Sequence, residues 1–463
     1  MFFKFSSTVG GVVVLALSVV MAITYVVVYI LHLSAIYYAR RRLYPKIDIE
    51  NRPDLSKLPG VSVIKPIMGV DTNLQINLAT FFQMKFPTYE LIFCVADEDD
   101  EALPIIKQLI KQHPEIDSHI LIGLADVGVN PKINNMFKGF QIAKYPLILI
   151  SDSGIFMKSD TLADMVINME SSEKIGLVHQ VPFMHSSISN RFAHLYQLVY
   201  FGGWHAKIYM SAAFFGFNCT TGMSCLIRKK VLDSVGIQAF GCYLAEDYFL
   251  AKYFYDQNWR CVISGQPAWQ NSASNTVSQF QSRIMRWYQL RASMVPHTVL
   301  FEPLTECFPN GLLMSWVCYY FLPYWINPAV FFLCHILVWF LLDYLLLYYM
   351  HPTGETMNLN KAEYLAVWLF RESTSIFLQI RAVCRRNVEW RDHKFRIHLG
   401  GLTEEITASQ SDLSIKCQPI TVTSSLKNKP YSKSSTDFES NSINSSHFQK
   451  TLPMSNSIYS SNS

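Results

Sequence analysis

Glu246 and Asp247 stand side by side in A-E-D-Y-F, and Q-S-R-I-M-R-W farther on sets Arg283, Arg286 and Trp287. A carboxylate such as Asp247 can take a proton from a hydroxyl during an attack, although at the head of the helix-like run Tyr248–Phe254 it can equally be a plain cap. At helical spacing R-x-x-R-W lays two guanidinium groups and an indole on adjacent faces. Guanidinium forks suit a diphosphate, and an indole offers a flat apolar face to a sugar or lipid. Arginines snorkelling beside a membrane are the plain alternative.

Four further positions carry useful chemistry. Y-P-L-I-L-I-S-D-S-G ends an apolar run on Asp152. A carboxylate there can face Mg²⁺ or Mn²⁺, which take oxygen ligands and often share them with substrate phosphate. Asp97 ends a similar run, and a solvated loop aspartate is the competing reading for both. In N-P-K-I-N-N, read as a polar loop between a third strand and the next helix, Lys132 could meet nucleotide or phosphate, or simply solvent. His205 lies in an aromatic stretch, where it could line an acceptor groove or be an ordinary buried histidine.

Positioning these groups requires a scaffold. Strand-like runs at Val61–Ile67, Tyr89–Val95, His119–Leu124, Leu147–Ile150 and Ile175–Val181 alternate with helical periodicity at Asp71–Met84, Leu103–Ile110 and Thr161–Met169. That alternation predicts an α/β domain with a mainly parallel sheet. In open α/β sheets ligands bind beyond the carboxyl ends of strands, where Asp97 and Asp152 fall.

The flanks are apolar. No Asp, Glu, Lys or Arg occurs between Lys4 and Arg40, and residues 9–33 are long enough to cross a bilayer. Arg40, Arg41, Arg42 and Lys46 follow, which predicts a lumenal amino terminus (residues 1–8) and a cytosolic domain over residues 50–291. Leu195–Phe217 reads as a buried helix, an interfacial helix or a short span, its Tyr, Trp and Phe content favouring an interface over a full crossing. Residues 292–400 read as membrane-associated helices, with a hairpin at about 311–350 that carries one formal charge, Asp343. Tyr364–Ile380 is apolar but contains Arg371 and Glu372, a pair too costly to leave in lipid. A basic cluster from Arg381 to Arg396 argues for a return to the cytosolic face rather than a third crossing. Residues 403–463, rich in Ser and Asn, cannot bury a core and read as disordered.

Composition agrees with lipid contact: charged residues are 16% of the 463, against a typical ~25%. A net charge of +4 is too small and dispersed to argue for nucleic acid. Ten cysteines without a C-x-x-C pair argue against zinc and fit buried free thiols.

The order strand-end Asp97, strand-end Asp152, A-E-D, then Q-S-R-I-M-R-W, then membrane segments resembles the membrane-bound inverting glycosyltransferases of the GT-A type. Within them N-P-K-I-N-N, D-S-G, T-G-M-S-C, A-E-D-Y-F, S-Q-F-Q-S-R-I-M-R-W, W-L-F-R-E-S and G-G-L-T-E-E-I resemble the ceramide glucosyltransferase family, over roughly residues 10–407. The resemblance implies a Rossmann-like nucleotide-sugar domain and transfer of glucose from UDP-glucose to the primary hydroxyl of ceramide, on the cytosolic face of the Golgi by a multi-pass protein. It implies that Asp97 serves the nucleotide, Asp152 the metal and diphosphate, and Asp247 the general base, with the family's (Q/R)-x-x-R-W falling on Arg283, Arg286 and Trp287. Two departures stand out: the family's D-x-D is D-S-G here, leaving the metal's second protein ligand open, and the Ser/Asn tail has no counterpart. A processive polysaccharide synthase and a dolichyl-phosphate sugar transferase share much of this pattern. A non-catalytic membrane protein with a cytosolic binding domain would leave the three aspartates unexplained. Oligomeric state is not legible in the residues.

Overall fold

The computed structural model describes residues 9–44, 54–185, 191–271, 276–322, 324–352, 357–385, 387–390 and 393–406. Residues 1–8, expected to be lumenal, and all but the first four residues of the Ser/Asn tail lie outside them. The chain opens with helix α1 (Val9–Arg42), which continues past the apolar run to the three arginines of its last turn. Along the chain then come β1 (Val61–Ile67), α2 (Leu74–Phe81), β2 (Tyr89–Val95), α3 (Ala102–Gln112), β3 (Ser118–Ile122), α4 (Pro131–Ile142), β4 (Leu147–Ser151), β5 (Ile155–Phe156), α5 (Thr161–Glu170), β6 (Ile175–His179) and β7 (Pro182–Met184). They are followed by α6 (Arg191–Tyr200), a π turn at Phe201–His205, α7 (Ala206–Phe215), β8 (Ser224–Arg228), α8 (Glu246–Asp256), β9 (Arg260–Ile263), β10 (Ala268–Gln270) and α9 (Val277–Met294).

The main sheet has the order β3-β2-β1-β4-β8-β6-β9. Every neighbouring pair is parallel except those made by β8, which runs against β4 and β6. This is the mainly parallel α/β sheet that the alternating runs predict. Its inner strands β2, β1, β4, β8 and β6 are buried on both faces, with side chains taking alternate sides. Val61, Val63, Leu91, Phe93, Leu147 and Leu149 meet α2, α3 and α5 on one face. Ile64, Ile92, Cys94, Ile148 and Ile150 meet α4 and α8 on the other. A smaller sheet, β5-β10-β7, stands beside the carboxyl end of β4.

Beyond α9 the chain makes the short helix α10 (Thr298–Phe301), α11 (Cys307–Phe321), α12 (Pro328–Met350) and α13 (Lys361–Cys384). Among the described residues two helices are long and apolar enough to cross a membrane: Gly10–Arg42 and Pro328–Met350. Between α11 and α12 the chain turns, and the Asn327 side chain accepts the Ala329 and Val330 amides to cap α12. Helix α13 is fastened to the α/β domain at both ends. Arg191 grips Glu363 through two hydrogen bonds, and Gln289 donates to the carbonyls of Arg385 and Asn387. Its outward face carries Leu365, Leu369, Phe377, Ile380 and Val383, all exposed. A helix anchored in this way lies along the domain with one apolar face outward. Arg371 and Glu372 point inward instead. Arg371 pairs with Glu306 at 2.8 Å and with Glu372, whose carboxylate also takes the Cys307 amide. Asp343 is likewise paired, with His32 at 3.1 Å and with the Trp368 indole at 2.9 Å.

One of the alternatives for Leu195–Phe217 holds over the favoured interface, and the described residues between 387 and 405 depart from the sequence reading. Most of Leu195–Phe217 is packed inside protein, with Tyr196, Tyr200, Phe201 and Trp204 nearly inaccessible, and only its last aromatics, Phe214, Phe215 and Phe217, are exposed. The latter, read as the end of a membrane region and the start of a tail, supply a third sheet: β11 (Asn387–Trp390), β12 (His393–Ile397) and β13 (Thr403–Glu405). It docks back on the α/β domain through a Tyr243–Leu402 bridge and a Thr403 amide bond to Cys242. Cys242 is disulfide-bonded, unlike the eight described cysteines that are free thiols.

Candidate active site

The carboxyl ends of β1, β2 and β4 share one edge of the sheet, and two adjoining cavities open there. One, of about 310 Å³, is lined by Ile67, Ala96, Lys132, Asp152, Gly154 and Arg283. The other, of about 440 Å³, shares Lys132, Asp152 and Arg283 and adds His205, Glu246, Asp247, Arg286 and Trp287. Residues scattered from position 132 to 287 thus meet around one space. Asp97 does not line either cavity. It is exposed one residue beyond Ala96, at the rim.

Each side chain is held by a local device. Asn130 caps α4 by accepting the Lys132 and Ile133 amides, and Pro131 takes the first helical position. N-P-K-I-N-N is therefore a cap and a first helical turn, not a loop. The Lys132 ammonium lies 2.9 Å from Asp152, 3.0 Å from Glu246 and 2.9 Å from the Gly222 carbonyl. Burial works against its charge, but the two carboxylates outweigh burial and hold its pKa above the ordinary lysine range.

Asp247 occupies the first turn of α8, where the helix dipole favours a carboxylate. Its oxygens accept the Gly222 and Tyr248 amides, each at 2.8 Å. Burial and the neighbouring Glu246 charge push its pKa up to about 6, against the opposing pull of Lys132 and the two amides. Gly222 matters to this contact: a Cβ there would stand 3.0 Å from the Asp247 Cβ.

Helix α9 starts with a capping box in which Thr276 and Gln279 satisfy each other's amides. Its inward face delivers Arg283, stacked over Trp287 at 4.9 Å, and Arg286, over Trp390 at 5.6 Å. Burial lowers the Arg283 pKa, partly offset by Asp152, and among the described residues Arg283 has no ion-pair partner. Trp287 packs near Tyr200 and His205. His205 ends the π turn, is 5% exposed and stacks on Tyr209 at 4.4 Å. Burial first, then Arg291 and Arg283, drive its pKa far down, so the ring is neutral.

Sequence reasoning missed three contributors. Trp390 and His393 come back from the third sheet to line the first cavity. Lys65 lies fully buried in β1 and donates to the Asp152 carbonyl at 2.8 Å, its pKa brought down to about 7 by burial. The signal for Lys65 was available: a lone lysine inside the apolar run V-S-V-I-K-P-I. None marked Trp390 or His393.

A metal fits this site on one protein oxygen. Asp152 turns one carboxylate oxygen to Lys132 and leaves the other uncommitted to any described protein cation, while both oxygens of Asp247 hold amides. Glu90, Asp117 and His119 also approach one another, but at the amino ends of β2 and β3, the opposite edge of the sheet, with Lys144 already on Asp117. A larger cavity of about 730 Å³, lined by Lys85, Phe156, Lys158, His194 and Trp269, contains none of the expected residues.

Comparison with known proteins follows the same lines. "Ceramide glucosyltransferase 3" of Caenorhabditis elegans is 41% identical over 374 residues, covering 81% of this chain and 79% of that protein. A "Ceramide glucosyltransferase" of Komagataella phaffii is 26% identical, covering 83% and 92%. Among solved structures, the mannosyltransferase PcManGT from Pyrobaculum calidifontis, in complex with GDP-Man and Mn²⁺, aligns over 78% of this chain and 99% of that one, at 13% identity and a TM-score of 0.45. The profile of Glycosyl transferase family 21 matches residues 27–403, and the chain belongs to that family of glycosyltransferases.

Proposed function

We propose that this enzyme makes glucosylceramide, transferring glucose from UDP-glucose to the primary hydroxyl of ceramide with inversion. The observation that carries the reading is that a carboxylate of raised pKa, Asp247, and a guanidinium with no ion-pair partner among the described residues, Arg283, line the same cavity. The names of the relatives supply ceramide and glucose; this pairing supplies a means of joining them.

In this reading the UDP diphosphate lies between Arg283 and Lys132, with Arg286 adding positive charge as UDP departs. Asp97 at the rim serves the nucleotide, and Trp287 faces the sugar or lipid. A divalent metal, Mg²⁺ or Mn²⁺, held by the open oxygen of Asp152 and the diphosphate would act as a Lewis acid toward the leaving group. Asp247 takes the proton from the ceramide hydroxyl as that oxygen attacks the anomeric carbon from the face opposite UDP. One displacement turns the α-linked donor into a β-glucoside without a covalent sugar-enzyme intermediate. His205, neutral and close to Trp287, borders the acceptor. Lys65 fixes the backbone that carries Asp152.

In this reading the α/β domain faces the cytosol at the Golgi membrane; Arg40, Arg41 and Arg42 in the last turn of α1 support that side by the positive-inside rule. Ceramide is then presented at headgroup depth, and holding the cleft at that depth removes part of the cost of bringing the reactants together. The test is incubation of the purified protein with labelled UDP-glucose and ceramide, with UDP-galactose in parallel and the anomeric configuration read by NMR. A single β-glucose on ceramide is expected. Polymer, an α-linked product or no transfer would refute the reading.

A further inference from the structure

The cavity around Asp247 continues along α9 past Arg291, Met294 and Val295 to Thr298. Thr298 also lines a second, smaller cavity of about 200 Å³, whose other walls include Ala292, Val299, Ile376, Ile380 and Val383. At the neck between the two, Arg291 of the first is paired with Glu302 of the second at 2.6 Å. The outer rim is apolar and exposed at Ile380 and Val383 on α13. These residues belong to the apolar surface that α13 turns outward, the kind of surface that beds into a bilayer.

We infer that this groove receives an acyl chain of the lipid acceptor and that the Arg291–Glu302 pair at its neck meets the acceptor's polar end. The inference rests on the glucosyltransferase reading above and adds a binding site to it. Three observations commit the groove to that occupant. It joins the catalytic cavity at Thr298, its walls are mainly apolar apart from Glu302, Gln379 and Thr298, and its mouth lies on the outward apolar face. The neck selects the class of lipid. Its guanidinium is already neutralised by a carboxylate, so it suits an uncharged head that both donates and accepts hydrogen bonds, as an amide with hydroxyls does. A phosphate head would face Glu302 at close range, which disfavours a polyprenyl-phosphate acceptor.

The test compares hexanoyl and palmitoyl ceramide as acceptors for the full-length enzyme in phosphatidylcholine nanodiscs. Val383→Trp fills the groove from its exposed edge, and Ala292→Leu fills it from α9. Each should raise KM for palmitoyl ceramide about tenfold, the loss expected from displacing about two buried methylenes. Turnover on hexanoyl ceramide should stay near wild type, which also shows that the variants fold. As a readout independent of transfer, Cys384, an exposed thiol in the groove wall, should be shielded from alkylation by palmitoyl ceramide and not by hexanoyl ceramide. If wild type glucosylates both ceramides but neither variant changes their ratio, the groove is refuted and the glucosyltransferase reading stands. Equal shielding of Cys384 by phosphatidylcholine alone would also refute it, as a groove for bulk lipid. If wild type glucosylates neither ceramide, the reading beneath it fails as well.

Discussion

Asp247 offers a prediction in which activity and stability move in opposite directions. Its pKa of about 6 means that roughly nine-tenths of it is ionised at neutral pH and roughly one-tenth one unit below its pKa. For a general base the consequence is direct: kcat/KM should fall about tenfold between neutral pH and pH 5, along a limb of unit slope. A carboxylate of ordinary pKa would leave the rate almost flat over that interval. Asp247→Asn should remove the limb and lower turnover by about 10²–10⁴-fold. The same shift governs stability. The folded-state pKa lies above the unfolded value, so the carboxylate favours folding while protonated, below the unfolded pKa, and that contribution is lost as pH rises through about 6. Two pKa units correspond to about 3 kcal/mol, of which the asparagine returns about 1 kcal/mol through its poorer acceptance of two amides. The variant should therefore become more stable than wild type as pH rises from 4 to 8, while remaining nearly inactive. Measuring kcat/KM and thermal unfolding in one buffer series tests both halves. A flat wild-type rate between pH 5 and 7, or an asparagine variant within tenfold of wild type, would remove Asp247 from the role of base.

Charge changes around Asp247 should move the acid limb in directions set by their sign. Glu246→Gln removes repulsion and should shift the limb to lower pH, whereas Lys132→Gln removes attraction and should shift it higher; identical profiles would show that these charges do not reach the base. Thorough chelation with EDTA should abolish most transfer, with recovery on adding Mg²⁺ or Mn²⁺, and undiminished rates would exclude a metal on Asp152. Trp390→Ala, which strips an indole from the wall near Arg286, should raise KM for UDP-glucose more than it lowers kcat, as titration of the donor would read. Arg371→Met should leave Glu306 and Glu372 buried without their cation and cost about 3–5 kcal/mol, measured as a lower unfolding temperature in detergent; wild-type stability would show that the cluster is not held by that charge.

Local patterns were enough to locate β1 and β2 to the residue, because a strand buried on both faces writes itself as an unbroken apolar run. They also placed Asp152 at a strand end and put Arg283, Arg286 and Trp287 on one helix, since spacing of three and four residues is a property of the chain near itself. The resemblance to ceramide glucosyltransferases carried the rest of the functional expectation, and the match to Glycosyl transferase family 21 agrees with its glycosyltransferase part. What distance along the chain conceals is who meets whom. That Lys132 joins Asp152 to Glu246, that Trp390 returns across more than a hundred residues to a cavity built by α9, and that Arg371 finds Glu306 are outcomes of packing among elements far apart in sequence. The course of α13 is the plainest case. Its composition allowed a crossing, but an ion pair at one end and backbone hydrogen bonds at the other fasten both ends to one domain, and only tertiary contacts could supply that constraint.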